Sequence, residues 1–83
     1  MKVSVLFFGA TAEEAGTAKA EIDLEDGIGA ETALTEILDR YPKLTASRDR
    51  SSLLFAVNQE YVRADETVNE GDELAVFTAV SGG

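Results

Sequence analysis

Leu74-Ala75-Val76-Phe77-Thr78-Ala79-Val80, followed at once by Ser81-Gly82-Gly83, is the stretch on which the reading of this chain turns. Side chains alternate across an extended segment, so Leu74 and Val76 fall on one side and Ala75 and Phe77 on the other. Both sides are apolar, which marks a strand inside a sheet and not one at its wet edge. The two glycines that follow have no Cβ, so the backbone of another protein can close around them. The expectation is a strand that runs straight out of the fold and holds the α-carboxylate of Gly83 on a thin stalk. Fully extended, residues 80–83 reach roughly 13 Å, enough to enter a narrow pocket while the body stays outside.

The opening segment matches the closing one. Residues 3–8 put Val3, Val5 and Phe7 on one face and Leu6 and Phe8 on the other with Ser4, again a strand with two apolar faces. Gly9 ends it. Residues 11–15 read as a helical turn, with Thr11 as N-cap and Glu14 completing a capping box. Residues 18–24 alternate cleanly, with Ala20, Ile22 and Leu24 inward and Lys19, Glu21 and Asp23 outward. Glu25-Asp26-Gly27 turns the chain. Residues 30–41 then carry a helical stripe of Ala30, Ala33, Leu34, Ile37, Leu38 and Tyr41, which Pro42 stops.

Residues 43–52 read as a polar loop. Residues 53–57 are apolar on both faces, Asn58-Gln59-Glu60 is a turn, and Tyr61-Val62 a brief strand. Residues 65–73 are rich in turn formers, with Gly71 placed where positive φ is needed. One long helix with a single apolar stripe covers one face of a sheet. The first and last strands, apolar throughout, fit its centre as parallel neighbours. The pattern predicts one α+β domain over residues 1–83 with a tail at 79–83: a mixed sheet packed on one main helix, the β-grasp or ubiquitin-like roll.

Composition bounds the chemistry. The 83 residues include no Cys and no His, so disulfides, thiolate metal sites and the usual catalytic base and thiol nucleophile are absent. The carboxylates lie in solvated runs such as Glu25-Asp26, and Gly27-Ile28-Gly29 is a turn and not a phosphate loop. The chain is expected to do no chemistry unaided and to hold no cofactor. Sixteen acidic residues against seven basic ones give a formal charge of −9. That charge disfavours nucleic acid and anionic membranes as partners, and favours a protein with a basic surface. No apolar run has the length of a membrane span and the start of the chain has no secretory pattern, which points to the cytoplasm.

A single helix leaves the second sheet face bare. Leu6 or Phe8, Leu54, Tyr61 and Phe77 belong to that face, beside the strand leading to the tail. Contiguous exposed apolar surface with aromatic anchors is the usual mark of a partner site.

The opening VLFFG, the central LLFAVNQEYV and the closing ETVNEGDELAVFTAVSGG resemble the MoaD-type sulfur carriers, the small subunits of molybdopterin synthase. The resemblance spans nearly the whole chain. It implies that an ATP-dependent, E1-like adenylating enzyme activates the terminal carboxylate, which then becomes a thiocarboxylate. It implies also that the tail enters the large synthase subunit, where sulfur passes to cyclic pyranopterin monophosphate. By position, Gly83 would bear the sulfur, Gly82 would be its slender approach, and Phe8, Tyr61, Phe77, Val80 and Ser81 would meet the partner. The family usually has Pro-Pro where this chain has Thr78-Ala79, and proline would stiffen the exit. Other products remain open within the same resemblance: thiamine, thiolated tRNA, or a ubiquitin-like modifier joined through Gly83 to lysines. So does a plain interaction module with an inert tail.

Overall fold

The computed structural model describes residues 1–46, 48–61 and 66–78. Within them run β1 (Lys2–Phe7), α1 (Ala10–Ala15), β2 (Lys19–Asp23), α2 (Ala30–Arg40), β3 (Leu53–Val57), β4 (Glu60–Tyr61) and β5 (Glu73–Thr78). The strands form one mixed sheet in the order β2-β1-β5-β3-β4. β1 and β5 lie side by side and parallel, with Leu6 opposite Ala75 and Phe7 opposite Val76. The other pairings are antiparallel. This is the expected β-grasp topology, with the two strands that are apolar on both faces adjacent near its middle.

The period-2 and period-3.6 stripes meet as the sequence demands. Val3, Val5 and Phe7 from β1 and Leu74 and Val76 from β5 point to the same side as Ile22 and Leu24. Against them pack Ala30, Ala33, Leu34, Ile37 and Leu38 of α2. Burying a side chain such as Ile37, fully enclosed here, stabilises the fold by about 1.5–3 kcal/mol. Tyr41, just past α2, sets its ring edge-on to Phe7 at 5.0 Å. Gly71 has φ 83 in the turn before β5, as its place in the sequence required.

Two expectations fail. Thr11 is no N-cap: Gly9 holds that place without a side-chain hydrogen bond, and Thr11 sits inside α1, fully buried. Glu14 closes no capping box and instead pairs with Arg48. Long-range partners have outcompeted the local motif. The stretch 43–52 is also no plain polar loop. A 3₁₀ turn over Pro42–Thr45 drives Leu44 into the core with no exposed surface. A second 3₁₀ turn, Arg50–Ser52, ties to α2 through Arg50, whose guanidinium meets Glu31 at 2.6 Å and Thr35 Oγ1 at 2.7 Å.

Candidate functional site

The sheet face away from α2 carries the apolar residues that the core leaves unused. Register aligns Leu6, Ala75, Ala56 and Tyr61 across β1, β5, β3 and β4. One step further along, Phe77 lies opposite Leu54. Among the described residues, Phe8 and Tyr61 are the large apolar side chains left exposed, at 52% and 70% of their surface. Phe77 stands between them. Its ring is edge-on to Phe8 at 6.4 Å and tilted to Tyr61 at 6.0 Å. Such pairs contribute about 0.5–1.5 kcal/mol each beyond their burial, so the three rings hold their arrangement without a covering layer. Two shallow hollows flank Phe77. One, about 420 Å³, is bordered by Phe8, Gly9, Phe77 and Thr78. The other, about 330 Å³, is bordered by Leu6, Phe8, Ala56, Gln59, Tyr61, Glu73, Ala75 and Phe77.

Backbone chemistry at the end of β1 sets the place of Phe8. Gly9 takes φ 56 and ψ −124, a conformation that side chains disfavour, and turns the chain from β1 directly into α1. Here the parallel ladder is interrupted. The Ser4 N–H donates to Asp72 C=O at 3.1 Å. With Leu6 opposite Ala75, the ladder would next pair Phe8 N–H with Val76 C=O. The Thr11 hydroxyl stands between those two groups. Its oxygen accepts the Phe8 N–H at 2.9 Å and lies 2.8 Å from Val76 C=O. Phe8 C=O, also 2.8 Å away, already receives the Thr11 N–H at 3.1 Å. The hydroxyl can donate to either carbonyl, and toward Val76 C=O it completes the bridge between the strands. One buried side chain thus splices β1 to β5 where Phe8 and Phe77 turn outward.

On the opposite flank, Asn58 and Gln59 form a two-residue hairpin turn between β3 and β4 with φ 52 and 71. Positive φ at both positions is the type I′ geometry that matches strand twist. Asn58 ties this turn to the start of β5. Its N–H donates to Glu73 C=O at 2.7 Å, its Oδ1 accepts the Glu73 N–H at 3.0 Å, and its Nδ2 donates to Asp72 Oδ1 at 3.0 Å.

The structure therefore brings together three of the residues singled out in the sequence, Phe8, Tyr61 and Phe77, with Leu6 beside them. Val80, Ser81, Gly82 and Gly83 lie outside the described residues. Thr78, the last described residue before them, borders the same hollow as Phe8 and Phe77. Thr11 and Gln59 went unrecognised as parts of the site. In the sequence Gln59 is visible as a member of the Asn58-Gln59-Glu60 turn between two apolar runs, within the central LLFAVNQEYV. Among the described residues, no group of three or more acidic, His or Cys side chains could hold a metal ion. No buried side-chain nitrogen or oxygen there lacks a partner. No described helix is long and apolar enough to cross a membrane. What the face offers chemically is recognition.

Known proteins resemble this chain in sequence and in fold. The sequence model of the ThiS family matches residues 5–83. A curated relative from Chlamydomonas reinhardtii, named molybdopterin synthase sulfur carrier subunit, is 36% identical, with all of both chains covered. The crystal structure of SAMP1, small archaeal modifier protein 1, from Haloferax volcanii superposes with a TM-score of 0.85 at 26% identity, covering 100% of both chains. The complex of subunits 1 and 2 of molybdopterin-converting factor from Helicobacter pylori contains a chain with TM-score 0.70 and 23% identity, again with full coverage of both, a likeness of fold. On the strength of the family match over residues 5–83, the chain belongs to the ThiS family of ubiquitin-like, β-grasp proteins.

Proposed function

We propose that this protein is the sulfur-carrier small subunit of a molybdopterin synthase, and that Gly83 is the residue that carries the sulfur. An ATP-dependent adenylating enzyme activates it: the Gly83 carboxylate attacks the α-phosphate of ATP, pyrophosphate leaves, and an acyl adenylate forms. A carboxylate is a poor electrophile, and AMP is a good leaving group. A sulfur nucleophile at the level of hydrosulfide then displaces AMP and leaves a thiocarboxylate, which is ionised at neutral pH and strongly nucleophilic. Docked in the large synthase subunit, this sulfur passes to cyclic pyranopterin monophosphate, and water returns Gly83 to the carboxylate. The carrier binds no cofactor of its own; ATP belongs to the activating enzyme, and the bases and cations come from the partners.

The observation that carries this function is the ordered triad of Phe8, Phe77 and Tyr61 on the uncovered sheet face, next to the strand that leads to Ser81-Gly82-Gly83. In support, the family match extends to Gly83, and the curated Chlamydomonas relative is matched over its whole length. The complex of two converting-factor subunits supplies the kind of partner that such a face would meet. Phe8, Phe77 and Tyr61 anchor the body, while Val80 and Ser81 line the approach and Gly82 lets the enclosing backbone come close.

The likeness to a small archaeal modifier protein favours one second possibility, conjugation of Gly83 to lysine side chains of other proteins. Mass spectrometry of the C-terminal peptide, after co-expression with the activating enzyme, separates the two. Exchange of oxygen for sulfur at Gly83 is expected. An isopeptide to a lysine in place of that exchange would identify a modifier. Full cofactor assembly by a chain lacking Gly83 would refute the carrier reading, and the absence of both sulfur exchange and isopeptide would refute both.

A further inference from the structure

Gln59 stands out on the docking face for its backbone. At the second position of a type I′ turn the favoured residue is glycine, and a positive φ on a longer side chain is uncommon. Gln59 nonetheless holds φ 71. The turn is kept in that state from outside, by the three hydrogen bonds that fix Asn58 to Asp72 and Glu73. The strained residue gains nothing internal in return: it is exposed, and no hydrogen bond ties its side-chain amide to the other described residues. Yet Gln59 borders the hollow that Tyr61, Phe77 and Phe8 also border. Backbone strain kept at the rim of a recognition surface is the pattern expected where a side chain serves a partner and not the fold.

We infer that Gln59 is a specificity-determining contact, a polar anchor that meets a peptide group of the docked partner at the rim of the aromatic face. A primary amide carries a donor and an acceptor side by side, complementary to the C=O and N–H of a main-chain peptide unit. Held beside the apolar hollow, it would be shielded from water once the partner covers the rings, which strengthens the contact. Its worth is directional. The rings supply area, and Gln59 fixes the register in which a partner's chain lies across them. The identity of the partner rests on the proposed function, the large molybdopterin synthase subunit.

Isothermal titration of that large subunit with the full carrier tests the assignment, with Gln59→Ala, Gln59→Gly and Phe77→Ala as variants and melting temperatures measured alongside. Alanine keeps the backbone strain and removes the amide; glycine removes both. Gln59→Gly should melt higher by about 5 °C and Gln59→Ala close to the parent chain. Both should bind about tenfold more weakly, the worth of one buried polar contact. Weakened binding by a stabilised variant is an effect that a purely structural residue would not produce. If both Gln59 variants bind like the parent while Phe77→Ala binds poorly, the face docks without Gln59 and the inference fails alone. If Phe77→Ala binds like the parent, the docking face itself is misassigned, and the role of Gln59 falls with it.

Discussion

Replacing Thr11 by valine tests the splice between β1 and β5. Valine matches the shape of threonine and removes only the hydroxyl. Two groups then lose their partner at a fully buried position: the Phe8 N–H, now 2.9 Å from Oγ1, and the Val76 C=O, now 2.8 Å from it. An orphaned buried group costs about 1–3 kcal/mol, and the added methyl returns up to ~0.8 kcal/mol. For the two groups together the net loss is about 3 kcal/mol. For 83 residues the unfolding entropy is about 0.17 kcal/mol/K, so the midpoint should fall by about 18 °C. Thr11→Ser keeps the hydroxyl and loses one buried methyl, about 1 kcal/mol, so it should melt between the two. Calorimetry gives the midpoints, and amide exchange at Phe8 locates the damage. Should Thr11→Val prove as stable as Thr11→Ser or more so, the strands have closed into a direct Phe8–Val76 hydrogen bond, and the hydroxyl is dispensable.

Leu44→Ala should cost 2–5 kcal/mol in urea denaturation, roughly the penalty of a core leucine; a loss below about 0.5 kcal/mol, usual for a surface position, would mean that the 3₁₀ turn over Pro42–Thr45 does not hold this side chain inside. Asn58→Ala should remove about 2 kcal/mol, since it deletes the bonds to Glu73 N–H and Asp72 Oδ1 and puts a less tolerant residue at φ 52. Hydrogen exchange should report it as faster exchange at the Glu73 amide, and unchanged exchange there would contradict the tie.

The sequence exposes whatever depends on period. Alternation in 18–24 and the stripe from Ala30 to Leu38 gave the right elements and the right inward faces, because a strand or helix that buries one side must repeat at its own pitch. The open face was legible for the same reason: Leu6, Phe8 and Phe77 have the parity opposite to Val5, Phe7 and Val76. Residues whose partners lie far along the chain gave no such signal. Leu44 is one apolar side chain in a polar stretch, and its burial depends on α1 and α2, against which the 3₁₀ turn packs. Thr11 and Glu14 carry a genuine capping spacing, but Val76 and Arg48, 65 and 34 residues away, offer better partners than the helix's own amides. Gln59 is the same kind of case. Its neighbours Asp72 and Glu73 hold the turn only after β5 has paired with β3.

The placing of charge bears on which partner the open face accepts. Arg40, Arg48 and Arg50 are spent inside the domain, on Asp23 C=O, Glu14 and Glu31. The acidic groups at the start of β5 and in the turn before it are placed otherwise. Glu73 borders the hollow, Asp72 takes hydrogen bonds from Asn58 and the Asn69 amide, and Glu70 takes one from the Lys2 amide. Those donors are neutral, so the hydrogen bonds order the carboxylates and leave the negative field in place. Two copies meeting through their aromatic faces would bring both acidic rims together, a like-charge contact that costs several kcal/mol when desolvated. A partner with a basic rim gains from the same arrangement. The apolar rings make the face adhesive, and the acidic rim restricts what it adheres to. An exposed aromatic patch can therefore persist on a free carrier without driving it to self-associate.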